Sequence, residues 1–278
     1  MALEDLLLHP LALGAAGWAA MLATSVARQE RLIFGRPWRI RPVPPGPHAG
    51  SHQVRALDHH TADGERLEGW LATPDSGAAP RGLLLYFGGR NENAAWSPGM
   101  AGWLGRDWAV RACNYRGFAG STGHPSEQTA VADGLDQGRA ALQALGLPAS
   151  ALVVAGRSLG SAVAIQVAAQ LPGARLVLLT PPKSMAAIVA RRLLLAPALP
   201  LLRNRFDSIG VAPQIRSPSL VVLAARDAMV PHADSRALAA SLGGPVTLET
   251  IPGTGHLSLP RHPLTQALLA RWVRETGG

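Results

Sequence analysis

Past Gln53 the chain alternates between short runs of apolar residues and longer stretches in which apolar positions recur every three or four residues. The first pattern marks buried strands and the second marks helices with one buried face. Strands are predicted at Gln53–Asp58, Arg66–Ala72, Gly82–Phe87, Trp108–Asn114, Leu152–Ala155, Arg175–Leu179, Leu220–Ala224 and Val246–Ile251. Helices are predicted at Glu127–Leu145, Ser158–Leu171, Ala233–Leu242 and Pro263–Arg274. The first two strands meet at a turn, Asp63-Gly64, and read as an antiparallel hairpin. Helical stretches lie between the later strands, which predicts an α/β fold with a mostly parallel eight-stranded sheet and helices on both faces.

Residues 1–40 follow neither pattern. Pro10 to Ala27 carries no charge and is rich in Ala and Leu, although Gly14, Gly17, Thr24 and Ser25 dilute it. That length approaches the ~20 residues a membrane-spanning helix requires. Glu4 and Asp5 precede it, and Arg28, Arg31, Arg36, Arg39 and Arg41 follow, which for a spanning helix sets the rest of the chain on the cytoplasmic side. The pattern therefore predicts an N-terminal helix acting as a membrane anchor. Two readings compete with it. Ser25 and Ala27 imitate a signal-peptidase site, behind an acidic rather than a basic leader. The third reading is an amphipathic helix that packs on the domain or lies on a membrane surface. The run Arg41-Pro42-Val43-Pro44-Pro45-Gly46-Pro47 then predicts a stiff linker over residues 41–50, and the remaining domain occupies 51–278.

Composition changes this picture little. A chain of 278 residues, 47% hydrophobic and 16% charged, is a globular domain with room for an extension, not a disordered chain. The formal net charge of +8 is carried almost wholly by arginine, Lys183 being the single lysine. The arginines are scattered and form no stripe with interleaved aromatics, which argues against a nucleic-acid partner. The single Cys113 excludes an intrachain disulfide and, in an apolar run, reads as a core thiol. No His-Glu-x-x-His or paired-cysteine spacing points to a metal.

The chemistry gathers around Leu152-Val153-Val154-Ala155-Gly156-Arg157-Ser158-Leu159-Gly160. A buried strand that turns through G-x-S-x-G into a helix is a nucleophile elbow. Ser158 sits on a strained turn whose neighbours at −2 and +2 must lack a Cβ. A serine nucleophile needs a base and a group that orients the base, and in this strand order both lie downstream, acid first. Asp227 follows the strand Leu220–Ala224 and His256 follows Val246–Ile251, so these are the acid and base of choice. Of their rivals, Asp207 lies in an interstrand segment and Asp234 already in the following helix, His232 and His262 read as caps or solvated surface, and the pair His59-His60 beside an early turn reads as exposed. The oxyanion hole is expected from the N–H of Leu159 and one from the loop Gly88-Gly89-Arg90-Asn91-Glu92-Asn93, with Arg90 or Gly89 as donor. Arg116 and Ser121, in the glycine-rich loop after the fourth strand, read as structural, while His124 there is a candidate substrate contact.

Taken together, Tyr86-Phe87-Gly88-Gly89, Tyr115-Arg116-Gly117, Gly120 to Glu127, Gly156 to Gly160, Arg205-Phe206-Asp207-Ser208, Asp227 with Val230-Pro231, and Gly255-His256 resemble an α/β-hydrolase in order and spacing. Within that superfamily the chain is similar to the small, often membrane-anchored serine hydrolases of the bud-emergence-suppressor type, whose relatives include serine-aminopeptidase-like enzymes and protein depalmitoylases. Gly88 stands where the family usually has histidine, and is a further candidate for substrate contact. Ala224-Ala225-Arg226 replaces a glycine-containing approach to the acid. The resemblance places a short lid at 180–206, either lining an acyl pocket or serving as a plain connector. It implies hydrolysis of a carboxylic ester or thioester through an acyl-enzyme on Ser158, on a small or lipidic acyl substrate and with no cofactor. An aminopeptidase-like amidase and a non-catalytic, membrane-associated binding protein on the same fold are the alternatives.

Overall fold

Continuous apolar runs bury both faces of a strand, and here they become the centre of the molecule. The computed structural model describes residues 3–35, 50–191 and 193–276. Its main strands are β1 (His52–Ala56), β2 (Gly69–Pro74), β3 (Gly82–Phe87), β4 (Trp108–Cys113), β5 (Leu152–Arg157), β6 (Arg175–Leu179), β7 (Ser219–Ala224) and β8 (Val246–Ile251). They form one eight-stranded sheet in the order β1-β2-β4-β3-β5-β6-β7-β8. β1 and β4 each pair antiparallel with β2, and every pairing from β4 onward to β8 is parallel. The predicted opening hairpin is two ladders rather than one. Beyond β1 and β2, His59 and His60 pair with Leu67 and Arg66 in a separate short ladder closed by Gly64, whose φ is 88°.

The helices are α1 (Leu3–Ala27), α2 (Gln29–Ile33), α3 (Ala101–Leu104), α4 (Glu127–Leu145), α5 (Leu159–Ala169), α6 (Met185–Ala190), α7 (Ser208–Val211), α8 (His232–Ser241) and α9 (Pro263–Glu275). Residue alternation in the strands sorts the core into two layers. Leu83, Leu85 and Phe87 of β3 pack with α4, α5 and α8 on one face, while Leu84 and Tyr86 pack with α3 and α9 on the other. α4 begins where Ser126 and Thr129 cap each other's backbone N–H, at 3.0 and 2.9 Å, and stops at Gly146 with φ 65°.

The N-terminal expectation needs correcting. No helix among the described residues is long and apolar enough to cross a membrane. Gly14, Gly17, Thr24 and Ser25 break up the apolar run of α1, which is 25 residues long. The transmembrane reading of residues 10–27 falls, and with it the orientation drawn from the arginines that follow. α2 runs into the core of the α/β domain: Ile33 and Phe34 are buried, and the Phe34 ring packs edge-on against Tyr115 and Phe206 at 5.7 and 5.9 Å. The proline-rich stretch at 41–50 lies, apart from Gly50, outside the described residues.

Candidate active site

The parallel strands β5, β6, β7 and β8 lie side by side, so the loops that leave their C-terminal ends share one edge of the sheet. Ser158 leaves β5 there, with φ 52° and ψ −116°, a region that L-residues rarely occupy. The glycines on either side make this turn possible. A Cβ on Gly156 would lie 2.1 Å from the Gly160 carbonyl oxygen, and a Cβ on Gly160 would lie 2.1 Å from that of Phe87. The Ser158 N–H donates to the Leu179 carbonyl at 2.9 Å, which ties the turn to β6. Leu159 opens α5, so its amide is one of the unpaired donors of a helix N-terminus.

Asp227 and His256 are brought together. His256 Nδ1 lies 2.9 Å from Asp227 Oδ2 and 3.0 Å from Oδ1, with the two side chains 5% and 2% exposed. The loops that carry them are bonded to each other. Arg226 N–H donates to the Thr254 carbonyl at 2.8 Å and Ala225 N–H to the Ile251 carbonyl at 3.2 Å. Burial works to raise the Asp227 carboxyl, but the hydrogen bond from His256 and those from the Val230 and Met229 N–H groups outweigh it. The carboxyl is held below its ordinary range. An ionised carboxylate only accepts, so the Nδ1 of His256 carries the proton and Nε2 is left as the acceptor.

The competing residues are occupied elsewhere. Asp207 caps α7 through the Gly210 N–H, and Asp234 is buried beneath Arg191 and Lys183 at 3.1 and 3.3 Å. His262 caps α9, the His232 ring is 2.7 Å from the Ala224 carbonyl, and His59 pairs with Asp136 at 2.9 Å. Arg116 is structural, holding Asp63 and Asp133 at 2.7 and 2.8 Å, and Ser121 accepts the Glu68 N–H at 3.0 Å. Cys113 is buried, which pushes its thiol up to about 11.

Three of the candidate loop residues, Gly88, Gly89 and His124, do not line the cavity that holds Ser158. The Gly89 amide donates to Glu92 Oε2 at 2.7 Å, so it is engaged within the protein rather than aimed at a substrate oxygen. Of the two proposed loop donors, Arg90 is the one that lines the cavity with Ser158 and Leu159. Gly88 is set behind that wall, with Glu92 against its Cα and its carbonyl accepting the Tyr115 hydroxyl at 2.8 Å. His124 is exposed at the approach to α4 and lines no part of the cavity.

Glu92 is the residue whose part the linear sequence did not reveal. Its carboxylate is 7% exposed and takes four donors: Gly89 N–H, Tyr86 Oη at 2.8 Å, Trp96 Nε1 at 2.7 Å, and the Arg157 guanidinium. Arg157 is the residue before the elbow serine. Glu92 therefore joins the loop after β3 to the turn after β5, the two segments expected to supply the oxyanion donors. An acid in one glycine-rich loop and an arginine inside the elbow were the available signal.

A cavity of about 240 Å³ opens on Ser158. Met229 and Val230, from the loop of Asp227, line its mouth, and α6 with the turn Leu193–Leu201 lines one side. Among the described residues no group of His, Cys, Asp and Glu is placed to hold a metal ion.

The comparisons with known proteins agree with the fold. The family model described as serine aminopeptidase, S33, matches residues 78–212. Uncharacterised proteins of two Mycobacterium tuberculosis strains, CDC 1551 and H37Rv, are each 31% identical over 236 residues, covering 83% of this chain and 81% of theirs. Among solved structures, the acetyl xylan esterase from Paenibacillus sp. R4 superposes with a TM-score of 0.66 at 18% identity, over 81% of this chain and 84% of that one. The Pyrococcus furiosus esterase Pf2001 gives 0.64 at 17% identity, over 85% and 98%. Est1E from Butyrivibrio proteoclasticus, solved with ferulic acid bound, gives 0.65 at 16% identity, over 80% and 99%.

Proposed function

The chain belongs to the α/β-hydrolase superfamily, and from that premise we propose that it cleaves a carboxylic ester or thioester through an acyl-enzyme on Ser158. The observation that carries the reading is the buried His256–Asp227 pair, 2.9 Å apart, on the sheet edge where Ser158 stands on its strained turn. Ser158 Oγ attacks the acyl carbon and its proton passes to His256 Nε2, while Asp227 holds the imidazolium that forms. The oxyanion is received by the Leu159 N–H at the start of α5 and by the loop of Arg90. His256 returns the proton to the departing alcohol or thiol. A water molecule deprotonated by His256 then attacks the acyl-enzyme, releases the acid and restores Ser158.

The test is direct. Ser158→Ala lowers p-nitrophenyl ester turnover by about 10⁴-fold or more while the circular dichroism spectrum and melting temperature stay near those of the wild type. A fluorophosphonate probe labels the wild type at Ser158 and leaves the variant unlabelled. Undiminished turnover in the variant would end the assignment and favour a non-catalytic role. The S33 aminopeptidase model supports a second reading, an amidase with the same machinery. Turnover of aminoacyl amides in preference to esters selects it.

A further inference from the structure

A core packs to a density of ~0.74 and leaves few voids larger than a water molecule. The cavity that opens on Ser158 departs from that rule, at about 240 Å³ among mostly apolar side chains. One of its walls is the lid segment, through residues such as Ile188 and Leu195. The other comes from outside the α/β domain as the sequence divides it: Val26 of α1 and Leu32 and Ile33 around α2.

This second wall is fastened to both sides of the site. Gln29 is 2% exposed. Its Nε2 donates to the Val26 and Leu201 carbonyls at 3.0 and 3.3 Å, and its Oε1 accepts the Arg203 N–H at 2.6 Å. α2 is thereby joined to the far end of the lid. Glu30 adds an ion pair to Arg203 at 2.9 Å. On the other side, Arg90 Nε donates to the Leu32 carbonyl at 3.0 Å, and the Asn91 N–H donates to the Phe34 carbonyl at 3.1 Å. The N-terminal segment therefore spans from the lid to the loop after β3, with the cavity between them.

We propose that α1 and α2 form the second wall of an acyl-binding pocket, and that the acyl group admitted is an aliphatic chain of medium length. The inference rests on the reading of Ser158 as nucleophile. The chemistry of the wall argues for the substrate class. Among the described residues no aromatic ring and no carboxylate lines the cavity to pair with an aromatic acid or hold a basic group, and its one charged side chain, Arg90, is turned to the Leu32 carbonyl. The amide of Gln29 is already committed to backbone partners on both of its polar atoms. The volume is below the ~300–1,000 Å³ of drug-sized sites, which suits a single chain rather than a bulky or branched acid.

Each methylene that enters such a pocket improves kcat/KM about fourfold, the equivalent of about 0.8 kcal/mol. The experiment is an ester series from acetyl to dodecanoyl, read as the ratio of kcat/KM between chain lengths, which does not depend on the active fraction of a preparation. In the wild type the ratio climbs with length until the cavity is filled and then falls. Val26→Trp moves the turning point to shorter chains and lowers the octanoyl-to-acetyl ratio by about tenfold or more. Val26→Ala moves it to longer chains. Leu13→Trp, on the solvent side of α1 where Leu13 is 75% exposed, leaves the ratio as it was. A wild-type profile flat in chain length, or Val26 variants whose profiles superpose on it, overturns the inference and leaves the hydrolase reading standing. Failure of a fluorophosphonate to label wild-type Ser158 overturns the reading beneath it, and is seen separately from any chain-length profile.

Discussion

Ser158 holds φ 52° and ψ −116° at a cost of about 1–3 kcal/mol, and the surrounding packing keeps it there. β5 enters the turn from one side and α5 leaves on the other; Gly156 lets the two touch backbone to backbone, and Gly160 lets α5 touch the end of β3. All of this was legible, because the G-x-S-x-G spacing is itself the geometric requirement. The oxyanion loop was less so. Gly89 reads as a donor on position alone, yet its N–H turns inward to Glu92 because a buried carboxylate must collect donors. Those donors come from Tyr86, Trp96 and Arg157, which only the fold assembles around it. Glu92 is accordingly a positioning residue. Glu92→Gln keeps the shape but loses the charge that holds Arg157. Its expected effect is a fall in kcat of up to about 10²-fold, as for a misplaced catalytic group, with KM changing little. Steady-state kinetics separates the two parameters, and a change in KM alone would speak for a purely substrate-binding part.

At the scale of elements, the long helices after residue 50 and most of the buried strands were readable to within a residue or two, the exception being the strand predicted at Arg66–Ala72, which is Gly69–Pro74 with Arg66 and Leu67 in the separate short ladder. α4 is the clearest case, since its Ser126 cap and its Gly146 stop bracket the apolar stripe. The N-terminal segment is the opposite case. Its uncharged run suggested lipid, but composition alone cannot say whether a weakly apolar helix faces lipid, solvent or protein. α2 answers through Phe34, buried between Tyr115 and Phe206. Gln29 predicts how firmly this element is held. Gln29→Ala removes the acceptor of the buried Asn204 N–H and of the neighbouring Arg203 N–H, a loss of about 1–3 kcal/mol. Urea unfolding measures it, and a midpoint equal to the wild type would show that the N-terminal helices add nothing to the stability of the domain.

At the scale of the whole molecule, the net charge of +8 hides a few carboxylates that fold-specific contacts keep ionised. Asp63 is lowered to about 2, chiefly by the Arg116 guanidinium and the Thr61 hydroxyl, and Asp227 is lowered through His256 and two backbone amides despite its burial. Both pKa values are depressed relative to an unfolded value of about 3.9. Their contribution is therefore complete above that pH and is lost as the pH falls through the folded values. The melting temperature should hold steady between about pH 7 and 5 and drop below about pH 4. Asp63→Asn should lower it at pH 7 and flatten the acid limb towards about pH 2, where Asp63 itself titrates. An acid limb as steep in that variant as in the wild type would remove Asp63 from this account.

The linear chain by itself determined the α/β layering, the strand edges and the order Ser158, Asp227, His256, because hydrophobic period and turn chemistry are local properties. Tertiary structure alone decided which of the loop groups face the cavity. It turned Gly89 towards Glu92, set Gly88 behind Tyr115 and left His124 in solvent. It also decided what the first residues do, bringing Val26 and Gln29 against a lid more than 150 positions away. Burial and hydrogen-bond satisfaction are settled by neighbours distant in the chain, and no local pattern records them. Ser158 could be found from five residues, whereas the walls of the space in front of it come from four separate parts of the fold.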